Sequence, residues 1–506
     1  MCRVSLAIWE HFSSKQDAPV TGEDLDTATR KMLEAFYDAA RKEGRIPEQE
    51  WKAKEDEITR LTEELRKLKQ QLAARSGEPA EAELSKLLAA GDLDAAYRIK
   101  SKRAENFPRD LYELGVLCEL RFDWPAALEN FRKAWQLGHD PEHGYKYGHL
   151  AQKLNQFNEA VLAYEALLPI CTDLASRATV LNNLAALYLD THRMKEAERM
   201  YAEALAIFRK LTQFNPNVWL WYVAMTLNNK ADVFRATNRI EQAIETCREA
   251  LAIYRKLAEI DFGANIAYIA ATLSNLAILY TDPLRVNLAE QAYDEALKIY
   301  RELAVDNPND YMPNVATILN NLGLLYRAMQ RMKEAEYVYD EALKIRRNFA
   351  VGNPDGFLPD VAATLNNLAN LYTVTERMNS AEQAYAEALA IRRKLADANP
   401  DAYLPEVAIT LNNLANLFLS MERIPEAETH AAESEGILEP LWQANPELQG
   451  DQMAKTLWTR TRICAASQKP AEAVVFAHRA LAAAYDPALK QSIQQLIDRL
   501  TPASQG

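Results

Sequence analysis

The feature that most constrains this chain is a repeat. The segment Leu-Asn-Asn-Leu-Ala beginning at Leu181 returns, with small changes, at Leu227, Leu273, Leu319, Leu365 and Leu411, each 46 residues after the last. A degraded copy begins at Leu457, again 46 residues on. Self-similarity at such a step means a chain built from stacked copies of one supersecondary unit, none of which can bury its apolar face alone.

Other positions keep the same step. A small residue stands at Ala185, Ala231, Ala277, Gly323, Ala369 and Ala415, with an aromatic three residues later in every copy, from Tyr188 to Phe418. Ala197, Ala243, Ala289, Ala335, Ala381 and Ala427 follow, and Tyr201, Tyr293, Tyr339 and Tyr385 lie four residues beyond them. Apolar residues within a unit are three or four apart, the helical spacing. Arg193, Arg239, Arg285, Arg331, Arg377 and Arg423 mark a polar break between two such runs. Each unit therefore reads as helix, short turn, helix. The small residues let the two helices approach, and the large aromatic fills the space opposite. An Asn-Pro pair ends the second helix in most copies, because the residue before proline disfavours the α region.

This pattern resembles the tetratricopeptide repeat, and its LNNLA form is most similar to the repeats of kinesin light chains and of many bacterial tetratricopeptide proteins. The resemblance implies an all-α, right-handed superhelical solenoid with an inner groove that binds a protein or peptide. The unit is longer than the usual tetratricopeptide of about 34 residues. The extra length, about three helical turns, falls in the stretch IxRKLAxxNPDAYLPxVA and is expected to lengthen the second helix and the approach to the next. Seven such units are expected over residues 178–485, two to three near-34-residue units over 81–177, and a cap helix and tail over 486–506. Upstream, Gly115 with Phe131 and Gly148 with Tyr164 carry the same small–aromatic pairing.

Ahead of the array, residues 21–76 read as a helix pair, and residues 1–20 are expected to be poorly ordered. The second of these helices carries Ile58, Leu61, Leu65, Leu68 and Leu72 at 3-4-3-4 spacing, a short heptad seam. It can pack on the first repeat, or it can form a short coiled coil that joins two copies of the chain through 58–72.

Composition removes several function classes. The formal net charge is −13, which disfavours a nucleic-acid binder. Only 15 glycines are present, too few for Gly-rich phosphate loops or a turn-rich β fold. The five cysteines are odd in number and none is spaced CxxC, as in a reducing compartment. No long apolar run suits a membrane span, so a cytoplasmic location is expected. No phosphate-loop, dinucleotide, zinc-protease or hydrolase motif occurs, so neither a catalytic residue, a cofactor nor a metal site is expected. His139, Asp140, Glu142, His143 and His149 are metal-ligand types, but they fall where a polar turn is expected.

Partner-binding residues are sought on the repeat itself. The resemblance places the first Asn of each pair (Asn182, Asn228, Asn320, Asn366, Asn412) on the inner groove, where a row of amides can hold an extended backbone. Asn370 and Asn416 lie one turn on, and Arg327 adds charge suited to an acidic ligand. The second Asn (Asn183, Asn229, Asn275, Asn321, Asn367, Asn413) is expected to hydrogen-bond the backbone of the neighbouring repeat. Trp219 and Trp221 either cover an apolar surface or anchor a partner. Arg209, Arg255, Arg301, Arg347 and Arg393 are expected to pair with acidic neighbours. The chain thus reads as a non-catalytic scaffold or adaptor. The alternative is a regulatory or sensor subunit of a separate effector enzyme, as in bacterial signalling or defence. A motor-cargo adaptor is the weaker one.

Overall fold

The computed structural model describes residues 92–500 except 103–106, 122 and 281–283, together with 64, 66–68, 83, 84 and 86–88. The expectations for residues 1–20, for Ile58, Leu61, Leu65 and Leu72, and for the last six residues lie outside this set. Among the described residues every regular element is helical. The chain divides into two compact units, residues 1–309 and 310–506.

In the first unit the helices are α1 (Leu93–Ser101), α2 (Pro108–Leu120), α3 (Trp124–Gly138), α4 (Pro141–Lys153), α5 (Phe157–Leu167), α6 (Leu174–Asp190), α7 (Met194–Leu211), α8 (Pro216–Ala236), α9 (Ile240–Ala258), α10 (Phe262–Leu279) and α11 (Val286–Asp306). The second unit holds α12 (Pro308–Ala328), α13 (Met332–Gly352), α14 (Pro354–Val374), α15 (Met378–Ala398), α16 (Pro400–Ser420), α17 (Ile424–Ala444), α18 (Pro446–Ala466), α19 (Pro470–Ala483) and α20 (Pro487–Leu500). Neighbours in sequence pack together within each unit, so the chain is a helical solenoid of repeats. The additional residues of the long repeat are shared by both of its helices: α14 and α15 have 21 residues each, against 13 and 11 in α4 and α5.

The turn inside six of the long repeats is closed without glycine. His192, Asn238, Gln330, Glu376, Glu422 and Gln468 take the left-handed conformation, with φ between 56° and 61°. The next N–H then reaches back to a carbonyl of the last helical turn: Arg377 N donates to Tyr372 O at 2.8 Å and Arg423 N to Phe418 O at 2.9 Å. This is the longer bond of a Schellman cap. The same arginine does two more things. Its guanidinium stacks on the aromatic that precedes it, 4.3 Å from the ring centre for both Arg377 on Tyr372 and Arg423 on Phe418. It also bonds a glutamate of the preceding repeat, Glu336 at 2.7 Å for Arg377 and Glu382 at 2.8 Å for Arg423. The polar break read from the sequence is thus cap, stack and tie in one residue.

The turn between repeats is made by asparagine. Asn353 and Asn399 end α13 and α15, and their side chains accept from Gly356 N at 2.9 Å and Ala402 N at 3.3 Å at the start of the next helix. Proline follows at the first helical position, where its missing N–H costs nothing. A second row of ion pairs joins successive second helices: Arg209 to Glu249, Arg255 to Glu295 and Arg347 to Glu387 at 2.6, 2.8 and 2.5 Å, with Arg393 to Glu433 completing it. The pairing expected for this arginine row is met at these four positions. Each pair is solvent-exposed and worth only about 0–1 kcal/mol.

The core is the small-against-aromatic contact. Tyr164, Tyr201, Tyr254, Tyr339 and Tyr385 are fully buried. The closest approach is at Gly323, where an added Cβ would lie 2.5 Å from the Tyr339 ring.

Candidate partner-binding face

The paired asparagines lie on the first helix of each repeat, and the two members do different work from that expected. In α14, Asn366 is buried and Asn367 half-buried. Asn367 Nδ2 donates to Asn320 Oδ1, the first Asn of the preceding repeat, at 3.1 Å. Asn413 Nδ2 donates to Asn366 Oδ1 at 3.0 Å, and in the other unit Asn275 Nδ2 donates to Asn228 Oδ1 at 3.2 Å. The chain of amides runs from second Asn to first Asn, one repeat to the next. The bond expected to a neighbouring backbone goes to a side chain instead.

The first asparagines are therefore poor candidates for a free groove. Asn182, Asn320, Asn366 and Asn412 are 1, 8, 9 and 6% exposed. Asn228 is half-buried and accepts from Asn275. The copy at Asn182 has no such pair before it, and there Asn183 Nδ2 turns to Tyr145 Oη at 3.2 Å and Tyr164 Oη at 3.4 Å.

One turn further along, the side chains do reach solvent. Asn370 and Asn416 are half-buried, like Asn367 and Asn413. Asn370 Nδ2 donates to Asn366 O at 2.9 Å, and its Oδ1 accepts from Tyr385 Oη at 2.8 Å. Asn416 Nδ2 donates to Asn412 O at 2.8 Å and to Thr459 Oγ1 at 3.0 Å, while its Oδ1 accepts from Arg462 Nη1 at 2.8 Å. Arg327 is half-buried, near enough to Tyr339 and Tyr385 for its charge to favour ionisation of both. Burial outweighs it and pushes the Tyr385 hydroxyl up to about 12. Lys455 and Arg462 are exposed. The carboxylates Asp360 and Glu406 are paired with the buried Arg346 and Arg392. What these first helices offer is amides and guanidinium groups, together with apolar Leu324 and Val374, which are 37 and 60% exposed.

Trp219 and Trp221 are half-buried among their own kind. Trp219 lies 6.1 Å from Phe208 and 5.3 Å from Tyr222, and Trp221 meets Tyr268 edge-on at 5.3 Å. That placement matches the covering role more closely than the anchoring one. The histidines of the 139–149 stretch are spent on separate rings, His139 on Trp135, His143 on Tyr112 and His149 on Tyr145. Among the described residues no group of three or more metal-ligating side chains comes together. Among them, too, no helix is long and apolar enough to cross a membrane.

Models of the tetratricopeptide repeat match residues 177–213 and, in four overlapping stretches, residues 222–302, 268–348, 314–394 and 360–439. The chain belongs to the tetratricopeptide repeat family. No curated protein matches it by sequence. Among solved structures it is similar to BtubC (BKLC) from P. vanneervenii, at 24% identity over 53% of this chain and 95% of that one, with a TM-score of 0.39. It is similar to the apo form of RapI at 14% identity over 57% and 99%, with a TM-score of 0.43. It is also similar to yeast Tom70, at 13% identity over 84% and 96%, with a TM-score of 0.35. Tetratricopeptide chains are in general non-catalytic scaffolds for protein interactions.

Within this tetratricopeptide array, sequence reading passed over three residues of the face and its support. Arg462 replaces the asparagine of the 370/416 column in the last copy. Tyr385 orients Asn370, and buried Arg392 neutralises Glu406. The signal for Arg462 and Arg392 was a change of residue type within one column of the repeat.

Proposed function

We propose that this chain is a protein–protein interaction scaffold whose first helices in the second unit hold an extended, acidic segment of a partner. The observation that carries the reading is the half-exposed set Asn367, Asn370, Asn413 and Asn416, with Arg327, Lys455 and Arg462 as the charged groups beside it. Asparagine offers both a donor and an acceptor, so repeated amides suit a peptide backbone of any sequence. Several of their atoms already serve the ladder, which holds the rest in place at little entropic cost on binding. The cations add selectivity and on-rate for negative charge.

The test begins with affinity capture of the full chain from its own cells and identification of what co-purifies. Arg327→Glu and Arg462→Glu are then compared with the unaltered chain. Each is expected to weaken binding of the captured partner roughly tenfold or more, with melting temperature unchanged and the effect fading at high salt. Undiminished binding by the double variant would reject the reading.

A further inference from the structure

The first helices of the early repeats are enclosed on a side that the later ones leave open. In α14, Asn370 and Thr373 are half-exposed and Val374 is 60% exposed. The matching places in α2, counted from Gly115 as those are from Ala369, are Val116, Glu119 and Leu120, and all three are buried. In α4 the buried residues of this side are Lys146 and Gln152. The covered places lie towards the end of α2 and from the middle to the end of α4.

The structure shows what covers them. Glu64, Arg66, Lys67 and Leu68 are helical. Glu64 Oε1 lies 2.6 Å from Lys146 Nζ, and Lys146 Nζ lies 3.3 Å from Glu119 Oε2. All three charged groups are buried, and so is Leu68. Glu64 and Leu68 are one helical turn apart and share a face, while Arg66 and Lys67 are half-exposed. Lys146 stands two residues before Gly148, where later copies carry an asparagine two residues before Ala185 and its equivalents. An ammonium in that place, cut off from water, calls for a carboxylate above it.

We propose that the helical segment carrying Glu64 and Leu68 covers the face formed by α2 and α4 as an occupant supplied by the chain itself. The face open to a partner then begins beyond α4. Leu68, a member of the heptad seam, is spent within the chain and not on a second copy.

The test uses the full chain and reads amide hydrogen exchange segment by segment, with light scattering alongside. Glu64→Lys and Leu68→Arg should each speed exchange in α4 and the end of α2 by about tenfold or more, leaving α14 to α18 unchanged. Glu64→Lys combined with Lys146→Glu should restore much of the protection, and every variant should remain monomeric. Unchanged exchange in α2 and α4 would overturn the proposal. So would equal acceleration in α14 to α18, which would make Glu64 a support of the whole fold. A dimer that Glu64→Lys takes apart would place the covering helix in a second copy, and would overturn it too.

Discussion

Arg392 Nη2 lies 2.7 Å from Glu406 Oε2, fourteen residues on, in the place where Tyr254 stacks on Tyr268 with ring centres 5.4 Å apart. Four junctions between repeats share this slot. Phe208 and Tyr222 fill it with stacked rings 5.3 Å apart, and Arg346 with Asp360 fills it at 3.9 Å. The long repeat creates the slot, between the last third of one helix and the opening of the next. A guanidinium is planar like a ring and fits the same gap. It then needs acceptors. Arg392 finds Glu406 O at 3.0 Å and the Thr410 hydroxyl, and Arg346 finds Asp360 O at 3.1 Å and the Thr364 hydroxyl. Burial pushes both guanidinium pKa values down, opposed by the partner carboxylate.

Removing one partner from this slot should hurt more than exchanging both. Arg392→Met removes the guanidinium that bonds Glu406 and the Thr410 hydroxyl and should cost about 2 kcal/mol. Replacing Arg392 and Glu406 together by tyrosines, the pair that Tyr254 and Tyr268 make, should return stability to within about 1 kcal/mol of the parent. Urea unfolding of the three chains, read as a double-mutant cycle, decides it. A double variant no better than Arg392→Met would show that the slot is not interchangeable.

Asn366 is expected to behave as a structural residue. Its Oδ1 accepts from Asn413 and its side chain is buried, so Asn366→Ala leaves an amide of the next repeat unsatisfied. The cost should be about 1–3 kcal/mol of stability. Asn412→Ala should cost less, because Asn412 Oδ1 accepts no hydrogen bond. Arg462→Ala, at an exposed position, should cost under about 0.5 kcal/mol. Thermal unfolding separates the two groups, and equal shifts would mean the ladder carries no stability.

Much of this fold was legible because a period exposes it. Ala369 and Tyr385 recur as a pair, so their contact could be inferred before any coordinate. The arginine row at 347 and 393 sits forty residues before its glutamates in each copy, and the repeat makes that visible. What stayed hidden has a physical cause in each case. Asn366 and Asn367 are neighbours about 100° apart on the helix, and only the position of the adjacent helix decides which one is enclosed. The partnership of Arg392 and Glu406 spans two repeats and shows only when two columns are compared side by side. Glu64 belongs to no repeat, so a search by period passes over its contact with Lys146.

Asp232 occupies the column of Asn370 and Asn416, and burial raises its carboxyl pKa despite the Arg235 guanidinium 3.1 Å away. A carboxyl whose pKa is higher folded than unfolded binds protons more readily in the native state. Its contribution to stability therefore falls as pH rises from the ordinary aspartate range, near about 4, through the folded value. Asp232→Asn removes this penalty. The variant should unfold at a higher temperature than the parent at pH 7, and the gap should close as pH is lowered below the ordinary aspartate range. A gap that widens in acid would reverse the assignment.

Tyr339 differs from Tyr385 by one missing bond. Tyr385 Oη donates to Asn370 Oδ1, whereas the buried Tyr339 hydroxyl has no hydrogen-bond partner. The equivalent of Asn370 in that copy is Leu324, which is 37% exposed, so asparagine there gives up some apolar burial. Gly323 beside it lets the Tyr339 ring lie unusually close to the helix. Leu324→Asn should supply the acceptor, a bond that contributes about 0.5–1.5 kcal/mol against the apolar burial lost. The control is Tyr339→Phe. In the parent it removes an unsatisfied hydroxyl and should be neutral or stabilising, while in the Leu324→Asn chain it should remove the new bond and destabilise. If Tyr339→Phe has the same effect in both chains, as measured by denaturant unfolding, no bond has formed and the column does not work as the neighbouring repeat indicates.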